Sequence, residues 1–447
     1  MSELYQKRVV VVGLGASGVA AARLCLRRGA RVVATDGKSW DELSDDARAL
    51  DGLGVRVVAG GHADARMNEA DVVVVSPGVP PLPEVAAAAA AGVAVWGEVE
   101  LAARSMSRPC PIVAIGGTNG KSTTTSLVGA LLTGHGLRTF VGGNLGDPLA
   151  AHADDVFDVA VLEVSSFQME RVDRFRPHVC ALLNVTDDHL DRYADFDAYV
   201  AAKGNAFVRQ TEQDWAVVPA GDGLCTREAA RGRGRVVTFG AGGVVDVAAD
   251  AVVDRRTGER FERGQIALGG GHNALNVAAA VASVGPFGVP PSTIRAVLAD
   301  FSGLPHRTAF VRVVRGVRYY DDSKGTNVGA AVTALEGLTE PRVVLIAGGR
   351  DKGGTYAPLV HALGRKGRAA VVIGEAADVI ARAIGDRVPV RRAASMEEAV
   401  RVGASLARPG DAVLLSPACS SFDMFRDYKH RGDAFVHAVQ SLSEGGS

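Results

Sequence analysis

The residues best equipped for chemistry lie at 116–123. There Gly116-Gly117-Thr118-Asn119-Gly120-Lys121-Ser122-Thr123 follows an apolar run at 112–115 and opens a helical stretch. In such a loop the backbone N–H groups cradle phosphates, the lysine reaches the outer phosphoryl oxygens, and the next hydroxyl can serve Mg2+. The strict spacing sets four residues between the glycines. Position 115 is Ile, so this loop is shortened, which argues against a generic nucleoside triphosphatase and towards a subfamily. Glu163 closes the apolar run 159–162, and His189 follows the run 179–183 through Asn184-Val185-Thr186-Asp187-Asp188. If these runs are parallel strands, their carboxy ends share the phosphate loop's edge of the sheet, where open α/β sheets bind ligands. A carboxylate there is an expected further anchor for Mg2+. His189 stands ahead of Asp191-Arg192 and reads equally well as a surface loop residue.

A second glycine cluster, Gly13-Leu14-Gly15-Ala16-Ser17-Gly18, lies between the first strand and first helix, with Asp36 ending the second strand. This is the dinucleotide fingerprint, and alone it would point to a nicotinamide-dependent dehydrogenase. Its geometry requires only a diphosphate at a helix N-terminus, so any nucleotide diphosphate would serve. Further strand-to-helix junctions carry Gly271-His272-Asn273-Ala274-Leu275-Asn276, His306-Arg307, Asp322-Ser323-Lys324-Gly325-Thr326-Asn327, Gly348-Gly349-Arg350-Asp351-Lys352-Gly353-Gly354 and Ser416-Pro417-Ala418-Cys419-Ser420-Ser421-Phe422-Asp423. Each alone could be turn chemistry. The lysine count weighs against that. Of 49 Lys and Arg, eight are lysines (7, 38, 121, 203, 324, 352, 366, 429), leaving 49 − 8 = 41 arginines. Where arginine is the default cation, a retained lysine points to amine chemistry or a compact ammonium. Four of the eight (121, 203, 324, 352) fall in the segments above or, for Lys203, in Tyr199-Val200-Ala201-Ala202-Lys203.

The elements that must position these groups read as three α/β series. Runs 8–12, 31–34, 55–59, 71–75 and 93–96 alternate with helical stretches such as 18–28 and 84–91. A second series holds 112–115, 159–162 and 179–183. Beyond Trp215 the pattern turns to short strands and glycine turns that read as antiparallel, ending in a helix near His272. A third series holds a hairpin (310–314 and 317–320), then 343–347, 369–373 and 412–415. Strands apolar on both faces argue for parallel sheets covered by helices. The 447 residues exceed one core, 47% are hydrophobic and 22% charged, and the net charge is −1. A nucleic-acid binder held by phosphate contacts would show a basic excess, and no apolar run reaches the ~18 residues of a membrane span. The chain enters a strand within eight residues, leaving no room for a signal peptide. Five scattered cysteines without a CxxC pair fit a reducing cytoplasm, not a disulfide framework or a zinc site.

In chain order, GGTNGKST, EVSSFQME, NVTDDHLDRY, YVAAK, GHNALN, LPHR, DDSKGTN, GGRDKGG and SPACSSFDMF resemble the Mur ligases, ATP-dependent amino-acid ligases of peptidoglycan synthesis, from about Val9 to Phe435. The compact opening with GLGASG, SPACSSFD and the lack of an Asp-Asn-Pro-Arg motif are similar to the D-glutamate-adding branch. The resemblance implies three domains: residues 1–97 with a Rossmann-like parallel sheet for a UDP substrate, 98–302 with a P-loop ATPase-type mixed sheet for ATP, and 303–447 with a second Rossmann-like sheet for the amino acid. It implies an acyl-phosphate mechanism acting on UDP-N-acetylmuramoyl-L-alanine and D-glutamate, by a cytoplasmic monomer that neither binds nucleic acid nor inserts into membranes. Gly117–Thr123, Asn273, Asn276, Arg307 and Asp322 would hold ATP, with Lys121, Glu163, His189 and Lys203 catalytic. Two Mg2+ sites would draw on Ser122, Glu163, His189 and a carbamylated Lys203. Gly15, Ala16, Ser17, Asp36, Gly78, Asn144, Gln168 and His189 would bind the UDP substrate, and Thr326, Lys352, Ser421 and Tyr428 the glutamate. Gly37 and Lys38 depart from the hydroxyl and arginine often found after this aspartate, and Tyr428 replaces a common Phe.

Overall fold

The computed structural model describes residues 2–188, 192–351, 353 and 355–443. The chain forms two compact units: residues up to 185 with 197–265 and 275–298, and residues 186–196 with 266–274 and 299 onward. No described helix is long and apolar enough to cross a membrane.

The first unit holds two sheets. In the first, β1 (Arg8–Val12), β2 (Arg31–Asp36), β3 (Arg56–Ala59), β4 (Val72–Val75) and β5 (Ala94–Gly97) lie in the order 3-2-1-4-5, all parallel. Val9–Val12 and Val72–Val75 are buried, as strands covered on both faces must be. The order reverses between β1 and β4, which opens a crevice at the carboxy ends of these strands. The helix Ala16–Arg27 lies close against β1 because position 18 is glycine. A Cβ there would overlap the Gly13 carbonyl and stand 2.7 Å from Ser76 Oγ.

The second sheet contains β6 (Ile112–Gly116), β7 (Thr139–Gly143), β8 (Val159–Glu163), β9 (Val179–Leu182), β10 (Trp215–Pro219), β11 (Arg235–Phe239), β12 (Val245–Val247), β13 (Ala251–Asp254) and β14 (Glu259–Glu262), ordered 14-13-12-11-10-9-6-8-7. The antiparallel reading beyond Trp215 is corrected here. β9, β10 and β11 pair in parallel, and only β12–β13–β14 are antiparallel. A seven-residue helix, Gly223–Ala229, carries the crossover from β10 to β11, and the glycines flanking it mask its signal in the sequence.

Helix Glu98–Ser105 joins the two sheets and fixes the second with buried carboxylates. Glu100, fully buried, accepts the backbone N–H groups of Asp173, Arg174 and Phe175, each at 2.9 Å, and pairs with Arg104. Glu98 accepts the N–H of Ala150 at 2.6 Å, and burial pushes its carboxyl up to about 7.

In the second unit β15 (Ala309–Val314), β16 (Val317–Asp321), β17 (Val343–Gly348), β18 (Gly367–Ile373), β19 (Val390–Arg392) and β20 (Ala412–Leu415) lie in the order 15-16-20-17-18-19. The β15–β16 hairpin is antiparallel and the rest parallel. Apolar clusters cover both faces, one around Leu345, Leu359 and Ile380, the other around Ile346, Val400 and Phe435.

Replacing Glu100 with Ala takes the acceptor from three N–H groups, that of Phe175 buried, and one of three carboxylate partners from Arg104, a loss of roughly 2–3 kcal/mol. A thermal melt of Glu100→Ala should show a clearly lowered first transition; a melt unchanged from the wild type contradicts the clamp role.

Candidate active site

β6 and β8 pair in parallel with Ile115 opposite Glu163, and β9 flanks β6 on its other side. This register brings the phosphate loop, Glu163 and Asn184 to one sheet edge. Gly120 adopts φ +83 as it opens the helix Lys121–Gly134, and a Cβ there would overlap the Asn276 side-chain oxygen. Only glycine meets both demands. Asn184 clasps the loop: its Oδ1 accepts from Asn119 N at 2.9 Å, its Nδ2 donates to Asn119 O at 3.1 Å, and its carbonyl accepts from Thr118 N at 3.0 Å. Tyr199 supports the loop from the helix Phe196–Gly204, its hydroxyl 3.1 Å from Thr118 Oγ1.

The charged groups are held close to this loop. Lys121 Nζ donates to Thr118 O at 2.8 Å. Ser122 donates to Glu163 Oε2 through a short hydrogen bond, and Asn144 Nδ2 donates to Glu163 Oε1 at 2.6 Å. Lys203, 6% exposed, donates to Gly117 O at 2.8 Å and lies 4.5 Å above the Tyr199 ring. Thr123 is buried in the first helical turn, and Thr124 donates to Asn276 Oδ1 at 3.4 Å. The hydroxyl and carboxylate of Ser122 and Glu163 are hard oxygen donors of the kind Mg2+ takes together with phosphate oxygens and water. Among the described residues no group of three His, Cys, Asp or Glu side chains is arranged to hold a metal unaided.

A cavity of about 580 Å³ in the same unit is lined by Gly13–Ser17, Asp36–Lys38, His62, Ser76–Val79, Asn144, Gly146 and Gln168. All the expected UDP-site residues within the described chain therefore meet in one cavity. Gly15 offers open space where a Cβ would stand, at the N-terminus of Ala16–Arg27, so an anion can approach the backbone. Asp36 also braces the glycine loop, with Oδ2 accepting from Leu14 N at 2.7 Å and Oδ1 from Lys38 N at 3.0 Å. Gln168 accepts from Ser165 N in a capping box.

In the second unit Asp322 is nearly inaccessible and accepts from Ser416 Oγ at 2.6 Å and Thr308 N at 3.1 Å. Burial pushes its carboxyl up to about 7, against the Ser416 hydroxyl, the Arg307 guanidinium and the Thr308 N–H, which pull it down. Lys324 Nζ lies 3.9 Å over the Tyr428 ring. Thr326 follows in the same loop, its N–H donating to Lys324 O, and Ser421 is buried beyond β20. Asn273 donates to Gly269 O at 2.7 Å; it belongs to this unit and Asn276 to the first. His189 and Lys352 lie outside the described residues. Asn184, Tyr199 and Ser416 lie inside the motifs quoted above, yet their roles are not legible there, because spacing does not reveal which loop a side chain will meet.

Three family models match this chain: "Mur ligase MurD-like, N-terminal domain" over residues 7–97, "Mur ligase middle domain" over 115–284 and "Mur ligase, glutamate ligase domain" over 306–419. The chain belongs to the Mur ligase family and is an enzyme of the ligase class. It is 47% identical to the UDP-N-acetylmuramoylalanine--D-glutamate ligase of Syntrophotalea carbinolica, with all of both chains covered. It is 47% identical to the enzyme of the same name from Anaeromyxobacter dehalogenans, over 97% of each. Among solved structures, UDP-N-acetylmuramate-alanine ligase MurC from Thermotoga maritima shares the fold, with a TM-score of 0.61 at 20% identity, covering 98% of this chain and 100% of that one.

Below about pH 4 the Asp322 carboxyl is protonated in folded and unfolded chains alike and costs nothing. The folded chain holds its proton up to about 7, so a penalty for burying the charge grows from about pH 4 and is complete above about pH 7. Asp322→Asn should therefore melt higher than the wild type at pH 8, with the margin shrinking at pH 5. A margin independent of pH contradicts the assignment.

Proposed function

We propose that this enzyme adds D-glutamate to UDP-N-acetylmuramoyl-L-alanine at the expense of ATP, in the cytoplasm, during peptidoglycan precursor synthesis. The observation carrying this reading is the bridge Asn144–Glu163, which joins a nucleotide-sized cavity directly to a phosphate loop. The relatives' shared name supplies the substrates. We read the three sheets as three domains, 1–97, 98–302 and 303–447, in a monomeric enzyme.

The alanyl carboxylate attacks the terminal phosphorus of ATP, and the bond to the bridging oxygen breaks with its electron pair leaving on ADP. The amine of D-glutamate then attacks the acyl carbon, loses a proton, and inorganic phosphate departs. Both reactants of the first step are anions, so the dominant barrier is charge repulsion. The N-terminus of the helix Lys121–Gly134 and the Lys121 ammonium would lower it, with Gly117–Thr123, Asn273, Asn276, Arg307 and Asp322 assigned to ATP. Ser122 and Glu163 would hold one Mg2+, and His189 and Lys203 would contribute to a second; bound there, Mg2+ supplies positive charge against the phosphoryl oxygens. Lys203 would act after its amine combines with carbon dioxide to give a carbamate and a proton, a conversion arginine cannot undergo. Thr326, Lys352, Ser421 and Tyr428 are assigned to the glutamate, whose side-chain carboxylate calls for a cation and hydroxyls.

Phosphate release from Mg-ATP and UDP-N-acetylmuramoyl-L-alanine should require D-glutamate, with L-glutamate, L-alanine and meso-diaminopimelate inactive. Release with another amino acid keeps the family and overturns the glutamate assignment. Lys203→Arg should abolish turnover while leaving the melt intact; full retained activity rules out the carbamate.

A further inference from the structure

The nucleotide cavity contains an imidazole, His62, that the motifs did not single out, and the hydrogen bonds around it fix its tautomer. Thr35 Oγ1, fully buried, lies 2.8 Å from Gly61 O and 3.1 Å from His62 Nδ1. A carbonyl can only accept, so the single hydroxyl proton of Thr35 is committed to Gly61. The contact with Nδ1 must then use a proton on the ring, with Thr35 Oγ1 accepting. Neutral His62 consequently carries its proton on Nδ1 and presents a lone pair at Nε2. That atom is turned towards Gly37, 3.8 Å from where a Cβ of residue 37 would stand, and both residues line the cavity. Among the described residues no protein group hydrogen-bonds Nε2.

The cavity also has a direction, which rests on the proposed reading of it as the UDP-substrate site. A diphosphate belongs at the N-terminus of Ala16–Arg27, beside Gly15–Ser17. Strand order divides the cavity's lining into two arms: Asp36–Lys38 and His62 lie at or past the ends of β2 and β3 on one side of β1, and Ser76–Val79 follow β4 on the other. One arm passes Ser76–Val79 to Asn144, Gly146 and Gln168, where Asn144 touches Glu163 at the phosphate loop; the reacting carboxylate must lie along this arm. The nucleoside is left with the other arm, over Asp36, Gly37, Lys38 and His62.

We propose that His62 is a specificity-determining residue that reads the base: its Nε2 accepts the N3–H of uracil. Cytosine, whose N3 is an acceptor, would meet this atom lone pair to lone pair, so the arm selects uridine over cytidine nucleotides. The absence of a side chain at Gly37 leaves room for the base edge to reach the ring, which gives the departure at position 37 a function.

The test is calorimetric titration of the full chain with UDP, CDP and N3-methyl-UDP. Wild type should bind UDP at least tenfold more tightly than either analogue, the consequence of losing one hydrogen bond at the base. His62→Phe, which keeps the ring, and His62→Ala should weaken UDP about tenfold and leave CDP unchanged, removing the preference. Equal binding of UDP and N3-methyl-UDP by the wild type overturns the proposal without recourse to any variant, as does an unaltered UDP-to-CDP ratio in both variants. Failure of the wild type to bind UDP at all overturns the nucleotide reading of the cavity, and the proposal with it.

Discussion

The register of three parallel strands governs the first unit's chemistry. β8, β6 and β9 are neighbours, with Ile115 opposite both Glu163 and Ala181. That alignment brings the loop that follows Gly116, the carboxylate of Glu163 and the amide of Asn184 to the same sheet edge. Side chains alternate between faces along a strand, so a slip of one residue would turn Glu163 away from Ser122 and Asn144. The residues fixing the register are apolar and wholly buried: Val113, Ala114 and Ile115 on β6, Val161 and Leu162 on β8, Cys180 and Ala181 on β9. The core thus decides where the charges go.

The same arrangement explains why the phosphate loop needs outside support. The loop lies beyond the end of β6, where the ladder hydrogen bonds of the sheet stop. Asn184, just beyond β9, supplies bonds from outside, its side chain holding both the N–H and the carbonyl of Asn119 and its own carbonyl holding the N–H of Thr118. Lys203 adds a cation bonded to Gly117 O, and Tyr199 joins them through its ring and its hydroxyl. Each prop comes from an element later in the chain than the loop.

That long-range origin marks the limit of what the sequence made legible. Alternation of apolar runs with helical stretches was enough to recover the three sheets and the loops at their edges, because burial on both faces leaves an unambiguous imprint on composition. Glycine clusters and lysine scarcity pointed to the loop at 116–123, and the first glycine cluster to residues that line the cavity of the first unit. The parallel pairing of β10 with β11 escaped because its connecting helix is only Gly223–Ala229, too short for a periodic signal. Asn184, Tyr199 and His62 escaped for another reason: their roles are defined by partners 65, 81 and 27 positions distant. Residue type announces a capacity to hydrogen-bond, and the fold selects the partner.

The second unit solves the same problem of rigid loops with a buried cation. Arg431 is wholly inaccessible and meets no carboxylate among its hydrogen-bond partners. Its Nε donates to Ser323 Oγ at 3.0 Å and its Nη2 to Ser323 O at 2.8 Å, while Nη1 donates to the carbonyls of Cys419 and Ser420, each at 3.2 Å. Burial lowers its pKa to about 10, which leaves it charged at neutral pH. A guanidinium satisfied by neutral oxygens has no counter-ion to lose, and its planar fork reaches two loops together. One loop carries Asp322 and Thr326, the other Ser421. Tyr356 adds a second tie, its hydroxyl 2.9 Å from Asp351 Oδ1 and 3.2 Å from Cys419 Sγ. The geometry of the proposed glutamate-binding loops therefore depends on side chains that need never touch glutamate.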